Sequence, residues 1–134
     1  MKTSKRILIM MFIAIMVLLA EGCKKDDPAP TPAEMMVGSW KEVSYVRSGC
    51  TDAADNESST CTASCETLVV SATTLTFGTE PPYPYTADGS ALSVTVSGTI
   101  YIVTIAVTAT TLTTTIQDSP ADGNCKKVTN YTKL

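Results

Sequence analysis

Five cysteines and no histidine define the chemistry open to this chain of 134 residues. Four of the cysteines, Cys50, Cys61, Cys65 and Cys125, fall in the downstream two thirds, and Cys23 stands apart. In a small exported domain an even count reads as two disulfides, with three connectivities open. A zinc site built from four thiolates is the alternative. It conflicts with a compartment outside the reducing cytosol, so no metal ligand is assigned. The carboxylates Asp52, Asp55, Glu57, Glu66, Asp118 and Asp122 lie near these cysteines in sequence. Their spacing matches no ordered calcium loop, so they read as a solvated acidic rim, with Asp122-Gly123-Asn124 as a turn. Without imidazole, every mechanism that needs histidine is excluded. No carboxylate pair in a strand-end motif, Gly-rich phosphate loop or nucleophile elbow is present, so neither catalysis nor a cofactor is expected. Tyr83-Pro84-Tyr85 could stack on sugar rings, but reads more simply as an edge strand with one ring packed inward. The net charge is −3, and nothing past Lys25 is more basic than Lys126-Lys127, which argues against nucleic acid as a partner.

The elements that must position these residues begin after an atypical start. Lys2, Lys5 and Arg6 precede Ile7–Leu19, thirteen uninterrupted apolar residues. That run is short for a bilayer span and fits the apolar core of a signal peptide. Leu19-Ala20-Glu21-Gly22-Cys23 follows directly. A small residue before a Cys at this place resembles the lipobox of bacterial lipoproteins, although Glu21 departs from the small residue usual at its position. The resemblance implies a diacylglyceryl group on the Cys23 thiol, removal of residues 1–22 and acylation of the new amino group by a chain such as palmitate. Two or three acyl chains suffice for stable anchoring. A plain secretory signal cut near Ala20 is the alternative. Lys24-Lys25-Asp26-Asp27 resembles the export tag on surface lipoproteins of certain Gram-negative bacteria, which implies the outer face of the outer membrane.

Pro28-Ala29-Pro30-Thr31-Pro32-Ala33 alternates Pro with small residues and is expected to be extended polyproline II rather than helix. At ~3.1 Å per residue, residues 24–37 would hold a domain up to about 40 Å from the lipid. Met35, Met36 and Val37 are assigned to the edge of the domain itself. The expected organisation is therefore a signal peptide (1–22), a lipidated Cys with its tether (23–37) and one domain (38–134).

From Gly38 onward the apolar residues recur at every second position. Leu92, Val94 and Val96 alternate with Ser93 and Thr95; Tyr101, Val103, Ile105 and Val107 with Ile102, Thr104 and Ala106; Leu112, Thr114 and Ile116 with Thr111, Thr113 and Thr115. Period two is the pattern of strands with one face inward. Thr and Ser make up 32 of the 112 residues from Cys23 on, which suits strands whose other face meets water. Turn residues divide the runs into eight strands, at 39–47, 67–70, 74–77, 83–87, 91–96, 100–107, 111–116 and 127–133. Most links are short, so the order is an antiparallel meander, with residues 48–66 as its one long connection. Closure removes exposed edges, so the expected fold is all-β, a small eight-stranded antiparallel barrel. An eight-stranded sandwich would use the same periodicity.

Gly38-Ser39-Trp40 resembles the Gly-x-Trp opening of lipocalins. The runs Leu75-Thr76-Phe77, Ala91-Leu92-Ser93-Val94 and Thr111-Leu112-Thr113 are similar to the strand rhythm of lipocalin-like bacterial lipoproteins. The resemblance covers about residues 37–134, which is shorter than true lipocalins and lacks their second and third signature motifs. It implies that Trp40 closes one end of the barrel beneath the start of the chain. The inward set would be Trp40, Leu75, Phe77, Leu92, Val94, Val103, Ile105 and Leu112, lining a pocket for a small apolar ligand. The competing reading is a filled barrel whose loops or Thr-rich faces meet protein or glycan. If the last strand pairs with the first, Cys50 faces Cys125 and Cys61 is left for Cys65. All four sulfurs and the acidic rim then gather at the end away from the tether.

Overall fold

A computed structural model describes residues 28–134. Residues 1–27, which include the expected signal peptide, Cys23 and Lys24–Asp27, lie outside the described residues. The described chain comprises α1 (Pro32–Met36), β1 (Gly38–Ser48), β2 (Glu57–Thr60), β3 (Thr67–Val70), β4 (Thr74–Phe77), β5 (Tyr83–Asp88), β6 (Ala91–Val96), β7 (Thr99–Val107), β8 (Thr111–Gln117) and β9 (Lys126–Lys133).

Alternation becomes a closed sheet. Leu92 and Val94 of β6, Val103 and Ile105 of β7, and Leu112 of β8 are buried, while Thr104 and Thr111 between them face solvent. Tight turns join neighbours. Between β6 and β7, Ser97 and Gly98 both have positive φ, +49° and +85°, which matches the mirror-image hairpin turn that follows the natural twist of paired strands. Every pairing is antiparallel, in the order β1-β3-β4-β5-β6-β7-β8-β9. β9 then returns to β1, with register running from Trp40 opposite Lys133 to Ser48 opposite Lys126. Eight strands therefore close into a barrel, and the sandwich alternative is excluded. Gly38 opens β1 where a Cβ would stand 3.2 Å from Lys133 Cε, so the absent side chain lets the first and last strands meet.

Two segments depart from the sequence reading. Residues 48–66 are not a plain connection. Within them β2 pairs with β1 as a ninth strand outside the barrel, from Ser44 opposite Thr60 to Arg47 opposite Glu57. All four β2 residues are polar and exposed, so no alternation announces it. The free edge of β1 beyond β3 supplies the pairing. The segment read as wholly extended contains α1. Thr31 caps that helix through a reciprocal box with Glu34, and Pro32 sits in the first turn, where its missing N–H costs nothing. Residues from Thr31 on are thus folded against the barrel and cannot serve as spacer.

Cys50 is bonded to Cys125 and Cys61 to Cys65. The first bridge ties the end of β1 to the start of β9. The second is not beside it: the Cys61 N–H donates to the Val43 carbonyl at 2.7 Å, so this bridge sits midway along β1. The expected gathering of all four sulfurs at one end is corrected by β2, which carries the chain back down β1. Of the acids, Asp52, Asp55, Asp118 and Asp122 do stay at the Cys50–Cys125 end, where the Thr51 N–H donates to the Gly123 carbonyl and the Asp118 N–H to the Cys125 carbonyl, whereas Glu66 sits beside Glu42 midway along β1. Asp118 pairs with Arg47 at 3.2 Å, Asp52 caps a 3-10 turn, and Asp122 accepts from the Ser119 hydroxyl.

Candidate functional site

The barrel interior holds an open-mouthed cavity of about 330 Å³. α1 forms its floor. Met36 is 1% exposed and borders the cavity, and its carbonyl accepts the Trp40 indole N–H at 2.7 Å. Trp40 is completely buried, so the end where the chain enters is sealed. Apolar walls come from Leu68 of β3, Leu75 and Phe77 of β4, Leu92, Val94 and Val96 of β6, Val103 of β7 and Ile116 of β8. At the opposite end the cavity reaches Tyr101, which is 40% exposed, and Asp118.

Five of the eight residues expected to line a pocket do so: Leu75, Phe77, Leu92, Val94 and Val103. Trp40, Ile105 and Leu112 do not. They are packed in the core beside α1, below the cavity. Their alternation gave the correct face, but alternation carries no information about depth along the barrel axis.

One wall is polar, and sequence reasoning missed it. Lys127, Thr129 and Tyr131 share one face of β9, and all three line the cavity. Across from them on β1 stand Arg47, Tyr45 and Glu42 respectively. A bulge between Glu42 and Ser44 puts an extra residue into β1. The face shared by Trp40 and Glu42 therefore continues as Tyr45 and Arg47 rather than as Ser44. Glu42 could have been read from its position two residues after Trp40 on one strand; the switch to Tyr45 could not. Glu66 joins this corner through the backbone, since the Glu42 N–H donates to the Glu66 carbonyl at 2.9 Å.

The electrostatics follow from the burial. Tyr131 is 4% exposed. Burial first, then the nearby Glu42 and Glu66 carboxylates, push its phenol up to about 12, partly offset by the Thr114 and Thr129 hydroxyls beside it. Tyr131 is therefore a neutral hydroxyl at ordinary pH. The Lys127 ammonium lies 4.8 Å from the centre of the Tyr45 ring. Glu42, Glu66 and Lys127 also line a neighbouring polar cleft of about 440 Å³ beneath the Cys61–Cys65 loop, so the apolar interior and this cleft meet at those three side chains.

Tyr83 and Tyr85 are not a free stacking platform. Tyr85 is buried, with its hydroxyl donating to the Ser71 carbonyl at 2.8 Å. Tyr83 is half-buried against Phe77 and donates to Glu80. Among the described residues, no three Cys, Asp or Glu side chains converge on a metal-sized site, and no helix is long and apolar enough to cross a membrane. No protein-family model, no curated protein and no solved structure matches the chain.

Proposed function

We propose that the protein is a lipid-anchored, non-catalytic surface lipoprotein of the outer membrane, with a lipocalin-like barrel that holds one small apolar molecule. The observation that carries this reading is the interior cavity. Its volume of about 330 Å³ and largely aliphatic walls fall at the lower end of what small-molecule sites require. A barrel built only for support would pack this space, because an unfilled apolar void weakens the fold. The address rests on the sequence: the apolar run Ile7–Leu19, the lipobox-like Leu19–Cys23 and the Lys24–Asp27 cluster.

With Thr31 onward folded onto the barrel, the spacer between Cys23 and the domain is residues 24–30. At ~3.1 Å per residue it reaches about 20 Å rather than 40. The sealed Trp40 end then faces the membrane, and the end marked by Cys50–Cys125 faces outward. Native mass spectrometry of the protein purified from its own host tests the ligand. A retained small molecule is the expected result, and its absence from freshly prepared, never-denatured protein counts against the reading. Incorporation of a labelled palmitate analogue, lost in Cys23→Ala, tests the anchor.

One observation favours the second reading, a surface that meets protein or glycan. Ile100 and Ile102 on the outer face of β7 are 65% and 57% exposed and border a shallow groove with Thr104 and Thr115. This patch is compatible with an occupied barrel and does not need an empty one.

A further inference from the structure

We propose that the apolar molecule enters and leaves the barrel sideways, through the wall between β5 and β6, with the Tyr83 ring as its gate. This rests on the proposed apolar-ligand reading and adds the route into the same cavity. Pro81-Pro82-Tyr83-Pro84 leads into a strand with a neighbour on each side. Proline belongs instead on sheet edges, where no neighbour needs its missing N–H. The Tyr85 N–H donates to the Thr73 carbonyl, on the β4 side. Backbone alternation therefore turns the nitrogens of Pro84 and Pro82 towards β6, and neither has a hydrogen to give. The β5–β6 ladder accordingly stops at Tyr85 opposite Val94, while β6 stays paired with β7 as far as Val96 opposite Thr99. Thr95 and Val96 thus rise beyond the last rung to β5. On the other flank β5 meets β4 through Thr74–Pro84 and Leu75–Tyr83 alone, so Phe77 is paired with β3 and not with β5.

This seam adjoins the cavity. Val94, Val96 and Phe77 all line it. Tyr83 stands on the same inward side, two residues before the buried Tyr85, yet it is not among the lining residues. Its half-buried ring lies 6.3 Å from the Phe77 ring, and its hydroxyl donates to Glu80 at 2.9 Å in the β4–β5 turn. One exposed hydrogen bond and one aromatic contact are what hold the ring there. Swinging it outward breaks little and uncovers apolar side chains. At the end of the barrel the same molecule would pass the Arg47–Asp118 ion pair, and stripping water from charges opposes that passage.

N-phenyl-1-naphthylamine, an uncharged dye that fluoresces in apolar surroundings, reports association and dissociation rates by stopped flow. Octanol affinity by calorimetry reports the same site at equilibrium. Both are applied to the full chain carrying Cys23→Ala, which removes the acyl groups. The dye signal that counts is the part lost in Val103→Phe, because Val103 lines the cavity. The double variant Pro82→Thr, Pro84→Thr returns two donors to the β5 edge that faces β6. Association and dissociation should both slow about tenfold, the scale of two added hydrogen bonds, with octanol affinity unchanged. Tyr83→Ala should speed both rates at unchanged affinity, and Asp118→Asn should alter neither. If the rates hold in both seam variants, or move in Asp118→Asn instead, the molecule passes the rim; the inference is then wrong and the apolar-ligand reading stands. If one rate changes alone, so that affinity changes with it, these residues touch the bound molecule rather than gate it, and the inference is again wrong. If neither dye nor octanol binds with the seam intact, the apolar-ligand reading fails and takes the inference with it.

Discussion

The Trp40 indole donates to the Met36 carbonyl at 2.7 Å, four residues back, and this bond fastens α1 across the end of the barrel. The tether and the barrel are therefore not independent. Met36 is both the last residue of α1 and the floor of the cavity. Trp40→Phe keeps a ring in the core but leaves a buried carbonyl without its donor and opens a small void. A loss of about 2 kcal/mol is expected, measured as a lower urea midpoint by circular dichroism. An unchanged midpoint would mean that α1 is not docked in this way.

The two disulfides should differ in weight. Cys50–Cys125 closes 75 residues and Cys61–Cys65 closes only 4. If each acts mainly by restricting the unfolded chain, the long bridge is worth about 4 kcal/mol and the short one about 2. Replacing both cysteines of each pair by Ser, and comparing denaturant midpoints, should rank the variants in that order. The reverse order would show that the short bridge has a structural role of its own, such as holding β2 on β1.

Strand positions were legible because they are written in alternation and turn residues. The strands expected at 67–70, 74–77 and 91–96 begin and end at those residues. What was not legible has no side-chain signature. β2 is Glu-Ser-Ser-Thr with every residue exposed, and it exists because β1 offers unpaired backbone groups beside it. α1 is the exception: its capping box Thr31-x-x-Glu34, with Pro32 in the first turn, is a local signal that the Pro alternation masked, and only the burial of Met36 that holds the helix in place needs the barrel. The bulge beyond Glu42 changes which β1 residues face inward, and so hides the polar wall of the cavity from any strict period-two reading. The apolar half of the candidate site was thus readable in part, while its charged half had to be seen.

Tyr131 ties stability to high pH. Its phenol is raised from 10.0 to about 12 in the folded protein, mainly by burial. Below pH 10 the phenol is protonated in both states, and the stabilisation linked to the shift is fully present. As pH rises from about 10 towards 12, the unfolded chain ionises and the folded one does not. Stability should then fall by up to about 1.4 kcal/mol per pH unit. Burial raises Tyr85 as well, so some slope remains from that group. Urea midpoints between pH 9 and 12 should therefore fall less steeply in Tyr131→Phe than in the unsubstituted chain, and equal slopes would contradict the burial of the phenol.

Depth along the barrel axis separates residues that line the cavity from residues that merely face inward. Val103 and Ile105 are successive inward residues of β7, 5% and 3% exposed, yet only Val103 borders the cavity. Val103→Phe would place a ring in unfilled space, so its effect on stability should stay within about 1 kcal/mol or be favourable. The same ring would occupy the volume meant for a ligand, and octanol affinity should fall by about tenfold or more, since a displaced apolar contact of 1.4 kcal/mol already has that effect. Ile105→Val removes a methylene from packed core instead, with a cost of about 1 kcal/mol and no change in octanol affinity. Calorimetry and urea unfolding on the two variants thus give opposite patterns, one losing binding and the other losing stability. If both variants lose stability and neither changes affinity, the interior is solid where the cavity is drawn, and the barrel works by its outer surface.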